Sequence, residues 1–303
     1  MTVTPYFSII VPYFESNKTI NQTLLSILTQ VYSDYEIIVI DDGSSNEFSA
    51  VSSISKFIKD QLIILEQPNG GPAVARNNGI RNSSGKYCAF LDSDDIWDPF
   101  YLLNIHKYLS NTQSPYAYGN YRVFTRTPLK SVQGQQERYR LFRNSFYRLL
   151  IFDFIPMSSS VVLSELAKKI KFNPEYSPSE DWAYWILIVK ERKENINKVH
   201  NAICYYREHT LGISKSKSNH QKTSDKVRDM FINGDTIPFY VRYLMHWESD
   251  KSKILTLLST RNYLKATSLY LCLVLRYFYF PPFYYFLFVA VWRKFSTLYV
   301  QSR

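Results

Sequence analysis

Asp92-Ser93-Asp94-Asp95 places three carboxylates within four residues. Such a cluster repels itself unless a cation or hydrogen-bond donors compensate it, and a hard divalent ion with oxygen ligands, Mg2+ or Mn2+, does this well. Mg2+ keeps several waters and commonly joins one or two carboxylates to substrate phosphates. The quartet therefore suits a nucleotide-diphosphate site better than a closed metal cage. Helix capping by Asp94 or Asp95 ahead of Ile96-Trp97 is the plainer alternative. Asp41-Asp42-Gly43-Ser44 and Asn69-Gly70-Gly71 are, each alone, ordinary turns. Yet glycine permits close approach of backbone to a ligand, and Arg76, six residues after Gly70, suits a phosphate or carboxylate partner. A second acidic pair, Glu180-Asp181, opens a segment in which Trp182, Trp185, Ile186 and Val189 fall at helical spacing. Adjacent residues at a helix start cannot point the same way, so one carboxylate can face a pocket while the other caps or pairs.

The elements that must position these residues alternate. Tyr6-Phe7-Ser8-Ile9-Ile10-Val11, Glu36-Ile37-Ile38-Val39-Ile40, Leu62-Ile63-Ile64-Leu65 and Tyr87-Cys88-Ala89-Phe90-Leu91 read as strands. Helical patterns lie between them: Ile20 to Val31 with Ser16 as a candidate cap, Phe48 to Ile58, and Pro72 to Arg81 with proline at the first turn. Strand-helix alternation predicts an α/β fold with a doubly wound, mainly parallel sheet, whose ligands bind outside the carboxyl ends of the strands. The polar residues named above fall at those ends.

The 303 residues are long enough for one large or two ordinary domains, and 46% apolar residues are enough to fill a core. Cys88, Cys204 and Cys272 are too widely spaced for a disulfide framework or a cysteine zinc site, which fits a reducing compartment. The net charge of +10 hides a gradient: residues 1–100 carry 6 basic and 12 acidic side chains, whereas residues 251–303 carry 8 basic and none acidic. An acidic first third argues against a nucleic-acid partner, while a basic aromatic end suits an anionic surface such as lipid headgroups. Residues 1–11 lack the basic start and cleavage site of a secretory signal, so the expected location is the cytoplasm.

The ordered series FSIIVPYFES, EIIVIDDGSSNE, NGGPAVARNNGI and GKYCAFLDSDDIW closely resembles the nucleotide-binding half of family-2 glycosyltransferases with the GT-A fold. The resemblance covers roughly residues 6–98, with weaker features to about 215. It implies a Rossmann-like GT-A fold with a mixed, mainly parallel sheet, divided into a nucleotide-sugar-binding half (1–98), an acceptor-binding half (99–215) and a helical C-terminal extension (216–303). It implies that Pro12, Tyr13 and Glu15 border the nucleoside, that Asp42 beside Asp41 accepts from the base, and that Gly70, Gly71 and Arg76 complete the pocket. Asp92 and Asp94 match the family's Asp-x-Asp pair, Asp92 reaching towards ribose with Ser93 in the nucleotide-sugar site, Asp94 together with Asp92 holding Mn2+ or Mg2+, and Asp95 offering a second contact. An Asp acceptor suits the N3–H of uracil or thymine, although a guanine N1–H also satisfies it. Glu180-Asp181 matches the family's base position, with Asp181 as base and Glu180 as support; Trp182 and Trp185 could stack on acceptor sugars, although aromatic residues at that spacing more often pack in a core. Tyr205-Tyr206-Arg207-Glu208-His209 and the following Lys215 resemble a closing segment in which Arg207 and Lys215 hold diphosphate and His209 touches metal or phosphate.

The implied activity is an inverting, metal-dependent hexosyl or N-acetylhexosaminyl transfer, with a UDP-sugar as the favoured donor and a glycan or lipid-linked acceptor in surface-polysaccharide synthesis. A nucleotidyltransferase and a non-catalytic membrane-associated scaffold are the alternatives. In residues 264–292, Arg276 and Pro281-Pro282 interrupt the apolar run, which disfavours a single spanning helix and suits helices lying in the membrane interface, on its inner face. The alternative cover for that run is the catalytic domain or a second copy of the chain.

Overall fold

The computed structural model describes residues 4–45, 62–125, 128, 132–133, 144–208, 217–234, 236–259 and 262–277. The helix expected over Phe48 to Ile58, together with His209, Lys215 and residues 278–303, lies outside the described residues.

The chain divides into two compact units, Met1–Gly234 and Asp235–Arg303. In the first, β1 (Phe7–Tyr13), β2 (Tyr35–Asp41), β3 (Leu62–Glu66) and β4 (Tyr87–Phe90) are the four expected strands. They lie in the order β3-β2-β1-β4, each pair parallel. The sheet continues through β8 (Ser160–Leu163), β6 (Tyr116–Phe124), β9 (Lys198–Arg207) and β5 (Ile96–Trp97), with β7 (Val132–Gln133) paired to β6. Among the described residues the sheet is nine-stranded and mixed: β6 and β9 are parallel, while β8 runs antiparallel to both β4 and β6. The strands β1, β2 and β4 are buried, as continuous apolar runs in a parallel sheet should be. The edge strand β3 exposes Ile63 and Ile64.

Helices α1 (Ile20–Leu28), α2 (Pro72–Asn82), α3 (Tyr101–Thr112), α4 (Ser145–Ile151), α5 (Ser164–Lys169), α6 (Glu180–Arg192) and α7 (Lys217–Gly234) complete this unit. Pro72 sits in the first turn of α2, as expected. Helix α1 starts three residues later than the Ser16 cap implies, with Thr19 at the cap position: the Ser16 hydroxyl donates to the Phe14 carbonyl, while the Ser16 carbonyl accepts from Thr19 and Ile20 N–H. Alternate β1 residues Phe7, Ile9, Val11 and Tyr13 join one core with α1 and α3.

The second unit contains α8 (Phe239–Ser259) and α9 (Tyr263–Tyr277), packed through Trp247, Ile254 and Leu273. Phe239 and Leu264 are 79% and 88% exposed, leaving apolar surface on both helices. Among the described residues no helix is long and apolar enough to cross a membrane.

Candidate active site

The carboxyl ends of β1, β2 and β4 and the turn after β3 form one polar edge. Gly43 has φ +76°, and a Cβ there would meet the Asn69 backbone nitrogen at 2.7 Å, so glycine is required for the β2 and β3 turns to approach. Asp42, 3% exposed, accepts from Gly70 N–H at 2.8 Å, Gly71 N–H at 2.7 Å and Gln67 Nε2 at 2.7 Å. Three of the about four acceptor positions of this carboxylate are thereby used. Asp42 accordingly organises the glycine loop, a role beyond the base contact that the resemblance implies. Gly71, φ +83°, opens on space where its Cβ would stand, which leaves the backbone approachable. Asp41 accepts from Ser44 N–H, and Glu15 accepts from the Ser45 backbone and hydroxyl. Pro12 is half-buried.

Tyr13 departs from expectation. It is fully buried, because strand alternation turns it to the same side as Phe7, Ile9 and Val11, and its hydroxyl donates to Asn17. Its ring belongs to the core; the neighbouring Phe14 is 48% exposed.

At the end of β4, Asp92 and Asp94 are partly exposed, whereas Ser93 and Asp95 are buried. The Asp92 N–H donates to the Ser158 hydroxyl, which ties the turn to the short helix Met157–Ser159. Burial, followed by repulsion from Asp94 and Asp92, pushes the Asp95 carboxyl well above the usual range, and its Oδ1 accepts from Arg207 N–H. Arg207 Nε donates to the Asp94 carbonyl, its Nη2 to Gln22, and its guanidinium lies 4.6 Å from the centre of the Phe124 ring. Arg207 therefore braces the acidic turn from the end of β9. Two partly exposed carboxylates at a strand end fit an open hard-cation site completed by water and phosphate oxygens. Among the described residues no group of three or more His, Cys, Asp or Glu forms a closed metal cage.

Arg76 also differs from a surface phosphate ligand. It is 5% exposed and bridges Asp92 Oδ1 at 2.8 Å and Glu180 Oε1 at 3.1 Å. Burial would lower its pKa, but the two carboxylates outweigh that and raise it. Its Nε and Glu180 Oε2 are buried without a hydrogen-bond partner among the described residues. Arg76 thus links the acidic turn directly to the start of α6.

On α6 the adjacent pair splits as expected: Glu180 turns inward to Arg76, and Asp181 lines a pocket. Asp181 Oδ1 accepts from the Trp182 N–H, and burial together with Glu180 pushes its pKa up to about 7. The cap residue Ser179 bonds by its hydroxyl to Thr223 and Ser224 of α7. Trp182 and Trp185 correct the acceptor-stacking expectation: they are 3% and 0% exposed. Trp182 Nε1 donates to the Leu149 carbonyl at 2.6 Å, and their helical spacing places both rings in the core.

The pocket, of about 230 Å³, is lined by Tyr121, Phe152, Asp153, Phe154, Ile155, Pro156, Asp181 and Tyr206. Tyr121 and Tyr206 stand on the parallel pair β6 and β9 with ring centres 6.4 Å apart. Burial, then Asp181, holds the Asp153 carboxyl well above its ordinary pKa. Of these residues the sequence singles out Asp181, and Tyr206 only as part of the segment before Arg207. The available signal was faint: a lone aspartate within the aromatic Phe152-Asp153-Phe154 run.

The model of the family described as "Glycosyl transferase family 2" matches residues 8–170. A glycosyltransferase of Streptococcus pneumoniae, GlyA, is 34% identical over 41% of this chain, but that match spans only 18% of the relative. The Escherichia coli protein WfgD, named as a UDP-Glc:alpha-D-GlcNAc-diphosphoundecaprenol beta-1,3-glucosyltransferase, is 30% identical over 79% of this chain and 91% of its own length. The mannosyltransferase PcManGT from Pyrobaculum calidifontis, solved with GDP-Man and Mn2+, superposes with a TM-score of 0.63 over 94% of this chain and 84% of its own, at 18% identity. That likeness shows the GT-A type of fold.

Proposed function

The chain belongs to glycosyl transferase family 2, and from that premise we propose that it moves a sugar from a UDP-sugar to a lipid-linked or glycan hydroxyl with inversion at the anomeric carbon. One observation carries this reading: Asp181 lines an aromatic pocket while its neighbour Glu180 is tied through buried Arg76 to the acidic turn. A base for an acceptor and a site for a diphosphate are thereby coupled through one guanidinium.

In this reading the edge formed by Gly70, Gly71, Asp41, Asp42 and Asp92 receives the nucleotide. Asp181 takes the proton of the acceptor hydroxyl as its oxygen attacks the anomeric carbon. The sugar–diphosphate bond breaks on the opposite side, its electron pair leaving with the diphosphate. A single displacement of this kind inverts the carbon. Mg2+ or Mn2+ held by Asp94 with Asp92 would supply positive charge for the departing diphosphate. A carboxyl poised near pH 7 suits general-base work, because ionised base is available without losing proton affinity. WfgD, matched over most of its length, supports a UDP-sugar donor and a lipid-diphosphate acceptor; work on such an acceptor would place the chain at the inner membrane face. The exposed apolar residues of α8 and α9 are compatible with a membrane-interface attachment.

Calorimetric titration with UDP and GDP, each with and without Mn2+, on the wild type and Asp94→Asn tests the donor half. Mn2+-dependent UDP binding that the substitution weakens is expected. Preference for GDP would overturn the donor assignment, and metal-independent binding the role of Asp94.

A further inference from the structure

The pocket beside Asp181 holds a second carboxyl for which the transfer step has no use. Asp153 stands in the chain between Phe152 and Phe154, and the same pocket wall carries Tyr121 and Tyr206. Its Oδ1 accepts weakly from Ile155 N–H at 3.4 Å. The charged and titratable groups around it are Asp181 and Glu180 on α6, with Arg76 behind Glu180, the phenols of Tyr121 and Tyr206, and Arg148 of α4, whose guanidinium lies 3.8 Å from the centre of the Phe154 ring. The groups that act on Asp153 most are the acidic pair, and Arg76 is engaged with Asp92 and Glu180. An ionised Asp153 would add a second negative charge to a small aromatic pocket that already needs one on Asp181. As a neutral acid it is a hydrogen-bond donor, which a carboxylate is not, and it adds to the donors that the Tyr121 and Tyr206 phenols carry. Aromatic walls bearing an acceptor and donors match a sugar ring, which offers apolar C–H faces and neighbouring hydroxyls.

We propose that Asp153 binds the acceptor sugar in this pocket, donating a hydrogen bond from its carboxylic acid to a hydroxyl beside the one that Asp181 deprotonates. The acceptor class is then a sugar unit with two adjacent oxygens in reach, one to attack and one to be held. This rests on the transferase reading above. The division of labour between two carboxyls of one pocket goes beyond it: one must ionise and the other must stay protonated.

The test uses the full chain, UDP-glucose, and a GlcNAc-diphosphate bearing a short phenylalkyl tail as acceptor probe. Asp153→Ala removes the donor and is expected to raise the acceptor KM by roughly 5- to 100-fold, with the KM for UDP-glucose unchanged. Asp153→Asn, whose amide still donates, is expected to stay within about threefold of the wild type. An unchanged acceptor KM in Asp153→Ala would overturn the proposal. So would an Asp153→Asn variant as inactive as Asp181→Asn, since the ionised form would then be required. Carboxyl 13C NMR separates this outcome from failure of the substrate reading. A resonance absent from Asp153→Asn is expected to remain protonated at pH 7, and titration near pH 4 would overturn the proposal. Should the wild type transfer no glucose to the probe, the donor and acceptor assignment fails, and the titration alone decides on Asp153.

Discussion

The proposed donor edge, at the strand ends, and the proposed acceptor pocket, beside Asp181, solve opposite electrostatic problems. At the donor edge, each carboxylate is met by donors close at hand: Asp42 by the Gly70 and Gly71 N–H groups, Asp41 by Ser44, and Asp92 by Arg76. In the acceptor pocket, Asp153 and Asp181 share aromatic and aliphatic walls, and both are pushed towards their neutral forms. In the proposed reading the first arrangement would receive a polyanion and its cation, and the second would supply groups that exchange or share a proton. Arg76 joins the two, because it pairs with a carboxylate on each side.

The sharpest way to separate the regions is Asp181→Asn. Loss of a general base costs about 10²- to 10⁴-fold in kcat, while UDP affinity measured calorimetrically should stay at the wild-type value. Loss of both together would show that the regions are not separable. Arg76→Met breaks the link itself. It strands Glu180 at 6% side-chain exposure with no cation, an arrangement that costs about 3–5 kcal/mol for a buried pair broken on one side. Urea denaturation should show that loss; an unchanged midpoint would mean that the bridge is not held in solution.

The pH dependence sharpens the contrast further. With Asp181 raised to about 7, kcat/KM should fall about tenfold per pH unit below 7 as the base protonates, while UDP binding stays level over the same range. A rate that is flat between pH 5 and 8 would remove Asp181 as the titrating base. The smallest effect expected is on stability. Asp153 has a raised folded pKa, so between the ordinary carboxyl value and that raised value the folded state binds more protons than the unfolded one, and stability falls as pH rises. Asp153→Asn should therefore raise Tm at pH 8 relative to wild type and leave it nearly unchanged at pH 4. Equal shifts at both values would mean that the carboxyl ionises normally.

The two regions were unequally legible. Each donor-edge residue follows its strand by a few positions, so local patterns of β-rich run, turn and helix start were enough to place Asp42, Gly70, Gly71 and Asp92 at one edge. Even there, orientation escaped the pattern. Tyr13 was expected beside the nucleoside and its ring lies in the core, and Arg76, read as a partner for phosphate or carboxylate, lies in a buried bridge between two carboxylates. The acceptor pocket draws on residues 121, 152–156, 181 and 206, carried by β6, the segment after α4, α6 and β9. No spacing rule connects them. Trp182 and Trp185 looked like the aromatic sugar platform because they neighbour Asp181 in the chain, whereas Tyr121 and Tyr206 stand at the pocket because β6 and β9 pair in parallel.

The succession of strands and helices in the first half, the glycine turns and the acidic edge followed from the chain alone, because strand-helix alternation puts the residues that follow each strand at one edge of a parallel sheet. Which carboxyl faces which partner did not. The split of Glu180 from Asp181, the burial of Arg76 and the meeting of Asp153 with Asp181 depend on how α6 packs against α2 and on where β6 and β9 carry their tyrosines. Those are long-range contacts, and burial and charge at a site are set by the segments that come to surround it, however far along the chain they lie.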